Sequence, residues 1–72
     1  MDNLEEREKI IILFENYHNF LTQTQKQAIH LHLIEDISYR EIADIMATSR
    51  QASYDAVQKG IAKLKKIFNN MN

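Results

Sequence analysis

Side chains able to do catalytic chemistry are scarce in this 72-residue sequence. It contains no cysteine, and its imidazoles are His18, His30 and His32. His30 and His32 stand two positions apart, so on a helix they point to different faces and cannot share a metal ion. We therefore predict no metal and no cofactor, and we expect these histidines to be half-buried or solvated.

Two adjacent carboxylate pairs, Glu5–Glu6 and Glu35–Asp36, have structural explanations. The first pair suits the start of a helix, where the helix dipole favours negative charge. Asp36 suits a turn, where an aspartate bonds to its own backbone. Because a chain this short can hardly build a catalytic pocket, we predict that the protein is not an enzyme.

Glycine, cysteine and hydropathy exclude further classes of protein. The single glycine, Gly60, excludes glycine-rich phosphate loops, which need several glycines to bring backbone near phosphate. Without cysteine the fold must be held by packing or by a second chain, and a reducing, cytoplasmic location is expected. Residues 1–8 are acidic, unlike a signal peptide, and the longest apolar run, residues 10–14, is far below the about 20 residues that span a bilayer. We expect neither secretion nor membrane insertion.

Charge is distributed unevenly along the chain. Residues 1–47 hold four basic and nine acidic side chains, a net charge of -5, whereas residues 48–72 hold five basic side chains and Asp55, a net charge of +4. Such asymmetry indicates a basic face for nucleic acid or another anionic partner. Lysines near a helix C-terminus are equally explained by the helix dipole.

The elements that must position these side chains are predicted to be helices, because proline is absent and strong helix formers are abundant. Thr22–Gln25 and Ser38–Glu41 match the capping box, and Ser49 can cap a further helix. We predict one domain, residues 1–72, with four helices at about residues 3–18, 23–35, 39–46 and 50–68.

Apolar residues recur at helical spacing in each predicted helix. Ile11 and Ile12 fall off the stripe of the first helix, so a second element or a second subunit should cover them. The predicted inward positions are Ile10, Leu13, Phe14 and Tyr17 in the first helix, Ala28, Ile29, Leu31 and Leu33 in the second, Ile42, Ala43, Ile45 and Met46 in the third, and Val57, Ile61, Leu64 and Phe68 in the fourth.

A short helix, a turn at residues 47–49 and a longer helix form the helix-turn-helix plan, in which the second helix of the pair enters the DNA major groove. The predicted fold class is therefore all-α with a helix-turn-helix. Small Ala43 lies where the two helices must approach.

Several sequence blocks resemble the YlxM family of small bacterial helix-turn-helix proteins and, more distantly, region 4 of sigma-70-type transcription factors. The resemblance covers residues 13–64. It implies a three-helical core of the winged-helix superfamily type plus an N-terminal helix, frequent dimerisation, and a regulatory link to the signal recognition particle pathway. The blocks are Leu21-Thr22, Lys26-Gln27, Glu35-Asp36-Ile37-Ser38, Glu41-Ile42-Ala43, Ser49-Arg50-Gln51-Ala52 and Tyr54-Asp55.

The chain departs from that family pattern at the turn and just after it. Ala47-Thr48 replaces the usual Gly-Val, and Ser53 replaces a valine. A hydroxyl in place of a buried methyl costs about 1 kcal/mol or more if it finds no partner. We therefore expect a looser turn here. Family members also tend to be longer at the C-terminus.

If the fourth helix contacts DNA, the side chains on its open face would be the contacts. Arginine can bond guanine and glutamine can bond adenine in a bidentate manner, whereas lysines further along would contact phosphates. Tyr54 lies off the apolar stripe and is the aromatic residue expected at the surface, unlike Tyr17 and Phe68. The candidate nucleic-acid-binding residues are Arg50, Gln51, Tyr54, Gln58, Lys59, Lys63 and Lys66.

Two observations oppose DNA binding. Asp55 lies within the predicted contact face, and the sequence pI of about 6.3 is well below the value of about 9 that is typical of DNA-binding domains. The alternative is a docking module that keeps the fold and binds a protein, or the RNA of the signal recognition particle. In both cases we expect a homodimer, because the domain is small and Ile11 and Ile12 need cover.

Overall fold

The computed structural model describes residues 3–70, so both ends of the predicted domain, residues 1–2 and 71–72, lie outside the described residues. No strand occurs within residues 3–70, and the all-α helix-turn-helix prediction is confirmed. The helices are α1 (Asn3–Tyr17), a 3-10 turn (His18–Phe20), α2 (Gln23–Ile29) followed by a π-helical segment (His30–Ile34), α3 (Tyr39–Ile45) and α4 (Arg50–Asn70).

Helix α4 is the centre of the fold, and α1, α2 and α3 all pack against it. Val57 and Leu64 of α4 are fully buried, as are Ile29 of α2 and Ile42 of α3. Ile10 and Phe14 of α1 are buried too, while Leu13 and Tyr17 pack half-buried beside them. The predicted stripe of α1 and the Ala28 and Ile29 positions of α2 therefore lie in the core, with Leu33 half-buried against it, whereas Leu31 is half-buried outside this cluster.

Two residues predicted to face inward, Ile45 and Phe68, are exposed instead. Ile45 is 53% exposed because the buried side of α3 is centred on Ile42 and Ala43, and a step of about 100° per residue turns Ile45 away from it. Phe68 is 45% exposed because α4 extends past its buried contacts, and it lines an open groove with Ile12 of α1. Both predictions were wrong.

Gly60 allows α2 and α4 to approach closely. A Cβ atom at Gly60 would overlap the Cδ1 atom of Ile29 and would lie 3.3 Å from the Cβ atom of Gln25. The glycine therefore serves helix packing, although it weakens α4 locally by about 1 kcal/mol relative to alanine.

The predicted capping residues start the helices, with one difference in detail. Thr22 forms a complete capping box with Gln25, with both reciprocal bonds at 3.1 Å. Ser38 Oγ accepts from the backbone N–H of Glu41 at 3.3 Å, but the Glu41 carboxylate bonds to the Ser38 hydroxyl and not to its backbone N–H. Ser49 Oγ accepts from the Ala52 N–H at 3.0 Å and so fixes the start of α4.

The second predicted helix, residues 23–35, is α-helical only as far as Ile29. From His30 the backbone widens into a π-helical segment, in which the Glu35 N–H donates to the His30 carbonyl at 3.0 Å. His30 Nε2 then lies 3.2 Å from Glu35 Oε2, whereas His32 Nδ1 lies 3.0 Å from the Ile37 carbonyl oxygen. A carbonyl oxygen only accepts, so Nδ1 of His32 carries the proton.

Helix α3 ends in a Schellman motif centred on Ala47. The Thr48 N–H donates to the Ala43 carbonyl at 2.9 Å, and the Ala47 N–H lies 3.4 Å from the Asp44 carbonyl oxygen. These two bonds close the turn. Ala47 has a φ of 55°, a left-handed conformation that glycine adopts without steric cost.

Ala47→Gly is expected to raise the free energy of unfolding by about 0.5–1 kcal/mol, because relief of the left-handed strain exceeds the extra entropy that glycine gives the unfolded chain. Urea unfolding followed by circular dichroism measures the change. Ala62→Gly, on the exposed side of α4, is the control and should lower stability by about 1 kcal/mol. A similar loss in both variants would contradict the prediction.

Candidate nucleic-acid interface

The N-terminal half of α4 presents a polar surface next to the turn. Ser53, Val57 and Gly60 bury one side of the helix. At about 100° per residue, Gln51 and Gln58 project from the opposite side, and Tyr54 lies between them along the helix. Arg50, Gln51, Tyr54, Gln58 and Lys59 are all exposed.

The two hydroxyl substitutions noted in the sequence leave this surface in place. Ser53 is buried, but its hydroxyl donates to the Ser49 carbonyl at 3.0 Å, so the predicted cost of an unpaired buried hydroxyl does not arise. Thr48 is exposed, so the expectation that it replaces a buried methyl group was wrong. The helix-turn-helix geometry is intact.

Gln51 and Asp55 are coupled on this surface. Gln51 Nε2 donates to Asp55 Oδ1 at 3.1 Å, one helical turn away. The bond orients the glutamine amide and leaves its carbonyl oxygen and its second N–H available for a ligand. Because Arg50 and Lys59 are exposed on the same half of α4 as Asp55, this surface carries both positive and negative charge.

An aromatic cluster, which the sequence did not predict, supports Tyr54. The rings of His32 and Tyr39 stack with centroids 4.2 Å apart, and the Tyr54 ring meets Tyr39 edge-on at 5.2 Å. The Gln58 amide lies 3.4 Å from the Tyr39 hydroxyl. Tyr54 is 45% exposed, so the expectation of an exposed tyrosine is confirmed.

Two adjacent open cavities flank this cluster. The first, of about 450 Å³, is lined by Tyr39, Arg50, Gln51 and Tyr54. The second, of about 650 Å³, shares Tyr39 and Arg50 with the first. Arg50, at the start of α4, therefore lies beside Tyr39, at the start of α3. The lining residues of the second cavity are His32, Ser38, Tyr39, Arg40 and Arg50.

The structure does not bring the predicted lysines together with Gln51 and Tyr54. Lys59, Lys63 and Lys66 are exposed, but Lys63 projects about half a turn away from Tyr54. Lys66 lies about 24 Å along the helix axis from Arg50, about twice the width of a DNA major groove. Lys59 directly follows Gln58 and is the lysine nearest to Tyr54 along the axis, but it projects about 140° round the helix from Tyr54.

Within residues 3–70, no cluster of three His, Asp or Glu side chains could hold a metal ion. Nor does any helix of the described part of the chain have the length and hydropathy needed to cross a bilayer.

A short α3, a Schellman turn and a long α4 with an exposed polar N-terminal half define a helix-turn-helix protein. The model of the YlxM- and p13-like helix-turn-helix family, UPF0122, matches residues 4–72. The chain belongs to this family, and the predicted resemblance is confirmed. This is a family of helix-turn-helix proteins, a non-enzyme class.

Curated relatives agree with the family assignment. A UPF0122 protein of Clostridium novyi is 41% identical over 56 residues, which cover 78% of this chain and 49% of the relative. One from Clostridium kluyveri is 39% identical over 56 residues, covering 78% of this chain and 50% of the relative. A UPF0122 protein of Bacillus thuringiensis is 37% identical over 62 residues, which cover 86% of this chain and 56% of the relative. The chain thus spans about half the length of these relatives, and no solved structure matches it.

Proposed function

We propose that this protein is a non-catalytic regulatory protein that binds duplex DNA, with the N-terminal half of α4 in the major groove. One observation carries the proposal: the helix-turn-helix presents exposed side chains capable of base contacts, with α4 capped at Ser49. Gln51, Tyr54 and Gln58 would contact bases, and Lys59 would contact phosphate. Arg50 completes this contact set, whereas Lys63 and Lys66, the other contacts predicted from the sequence, lie outside it.

The competing function is a docking module for a protein or for the signal recognition particle RNA. The mixed charge around Asp55 and the sequence pI of about 6.3 favour this alternative. The family resemblance supports a link to the signal recognition particle pathway in the cytoplasm. We include this link in both proposed functions.

A homodimer is the proposed assembly. Ile12 is 56% exposed and shares a groove with Phe68, which is 45% exposed, between α1 and the end of α4. A second copy covering this groove would remove apolar surface from water, as predicted from the position of Ile12. Sedimentation across a range of concentrations tests the assembly, and a monomer mass at every concentration would contradict it.

A salt titration tests the function. We expect the chain to bind mixed duplex DNA at 50 mM salt and to bind it about tenfold or more weakly at 200 mM, because several phosphate contacts release counterions. Fluorescence anisotropy with labelled duplex measures this change. The RNA of the signal recognition particle is the parallel ligand. Failure to bind duplex at 50 mM salt, with retained binding to the RNA, would replace the proposal by the docking function.

A further inference from the structure

The second cavity beside the helix-turn-helix, which we term the junction cavity, joins the starts of α3 and α4. Arg40 and Arg50 line it from different elements. Within residues 3–70, neither guanidinium has a hydrogen bond or an ion pair. Arg7, by contrast, donates to the Leu33 carbonyl at 2.8 Å and to Asp36 at 3.0 Å. Two unpaired arginines therefore face one space.

The other residues that line the junction cavity are held in place. His32 is anchored through Nδ1 to the Ile37 carbonyl at 3.0 Å, and its ring stacks on Tyr39. Ser38 contributes a hydroxyl whose oxygen already caps α3. Since these groups are ordered without a ligand, little side-chain entropy is lost when a ligand enters.

The charge balance of the junction cavity favours an anion. Arg40 and Arg50 line it, and none of its lining side chains carries a carboxylate. The Glu41 carboxylate is close by, with Oε1 3.4 Å from Ser38 Oγ, and Asp44 lies one turn after Arg40 on α3. Guanidinium groups present several N–H donors in a planar fork that matches the oxygens of a phosphate. In a helix-turn-helix complex, the first helix of the pair crosses the DNA backbone, and here that helix begins at the junction cavity.

We propose that the junction cavity is a phosphate site, in which Arg40 and Arg50 hold one backbone phosphate of the bound duplex. This inference rests on the proposed function. It changes the role of Arg50 from base contact to phosphate contact, which sets the register of α4 and carries no sequence information. Base discrimination is then left to residues further along α4.

Arginine variants of the full-length chain test the site. Arg40→Ala and Arg50→Ala should each weaken binding about tenfold, equally for a duplex selected from a random pool and for its scrambled version. Each should lower the slope of log K against log salt by about 0.9, the value for one phosphate. Arg40→Lys keeps the charge without the planar fork and should recover part of the affinity. Glu41→Gln removes the opposing charge and should strengthen binding.

Lys26→Ala is the matched control, because it removes one positive charge from α2, outside both the junction cavity and the groove of the proposed dimer. Circular dichroism verifies that all variants keep the helical content of the unmodified protein. If Arg50→Ala reduces discrimination between the two duplexes at an unchanged salt slope, Arg50 contacts a base and the inference is overturned. If Arg40→Ala behaves as Lys26→Ala does, the inference is overturned as well.

A second measurement separates this inference from the proposed function. Inorganic phosphate is titrated into the unmodified chain, and backbone amide resonances are recorded against chloride at equal ionic strength. Resonance shifts at Arg40 and Arg50 that disappear in Arg40→Ala support the phosphate site. If these shifts occur but no duplex binds, the site binds phosphate from a ligand other than duplex DNA, and the part of the proposal that names the duplex is overturned. No shift at either residue overturns the phosphate site, whatever the duplex result.

Discussion

Replacing Ile29 by alanine is expected to lower the free energy of unfolding by about 2–5 kcal/mol. Ile29 is fully buried in α2, and its Cδ1 atom fills the space that Gly60 leaves open in α4. Alanine would create a cavity where α2 and α4 approach closely. The lost stability therefore includes the transfer free energy of the removed apolar atoms and the cost of a cavity that neighbouring side chains only partly fill. For a domain of this size, whose stability is about 4–11 kcal/mol, that loss is a large fraction of the total.

Urea unfolding at several protein concentrations measures this loss and separates it from any dissociation of subunits. Ile45→Ala is the matched control, because it removes the same atoms from a side chain that is 53% exposed. It should change stability by no more than about 0.5 kcal/mol. Equal losses in the two variants would show that Ile45 is covered, contrary to the observed position.

The second large effect is expected at the base-contacting surface. Gln51→Ala and Tyr54→Ala should each reduce discrimination between a selected duplex and its scrambled version about tenfold or more, since a good base contact contributes about 1–3 kcal/mol. Neither residue is charged, so the salt slope should stay unchanged. Competition binding at constant salt measures the ratio of affinities.

Lys63→Ala and Lys66→Ala are the controls for this surface. Both lysines are exposed on α4, but they lie about 20–24 Å along the axis from Arg50. Their removal should leave discrimination unchanged. A protein that binds through these lysines, and is unaffected by Gln51→Ala and Tyr54→Ala, would be a docking module and not a DNA-binding protein.

The local features of the fold were predictable because they depend on neighbouring residues. Thr22, Ser38 and Ser49 each stand directly before a helix and bond to a backbone N–H three residues further on. Such bonds are formed within one turn, so residue type and spacing are sufficient to find them. The same holds for the stripe of Val57, Ile61 and Leu64, which follows the helical period.

Features that depend on partners remote in the chain were not predictable. Periodicity places Ile45 and Phe68 among the apolar positions, but only the arrangement of neighbouring helices decides whether such a residue is covered. The π-helical segment widens the backbone between Ile29 and the turn and so changes where His32 points. Nothing in the local sequence requires that widening.

The helix-turn-helix, its caps and the exposed polar start of α4 follow from the sequence alone, since each depends on spacing within a helix. That Arg40 and Arg50, ten positions apart, face one cavity beside the His32–Tyr39 stack follows from the packing of the helices. Their proximity arises because the turn at Ala47 folds α3 back beside α4 and the π-helical segment brings His32 against Tyr39. Distances across packed elements are fixed by that packing, which a linear pattern of residues does not contain.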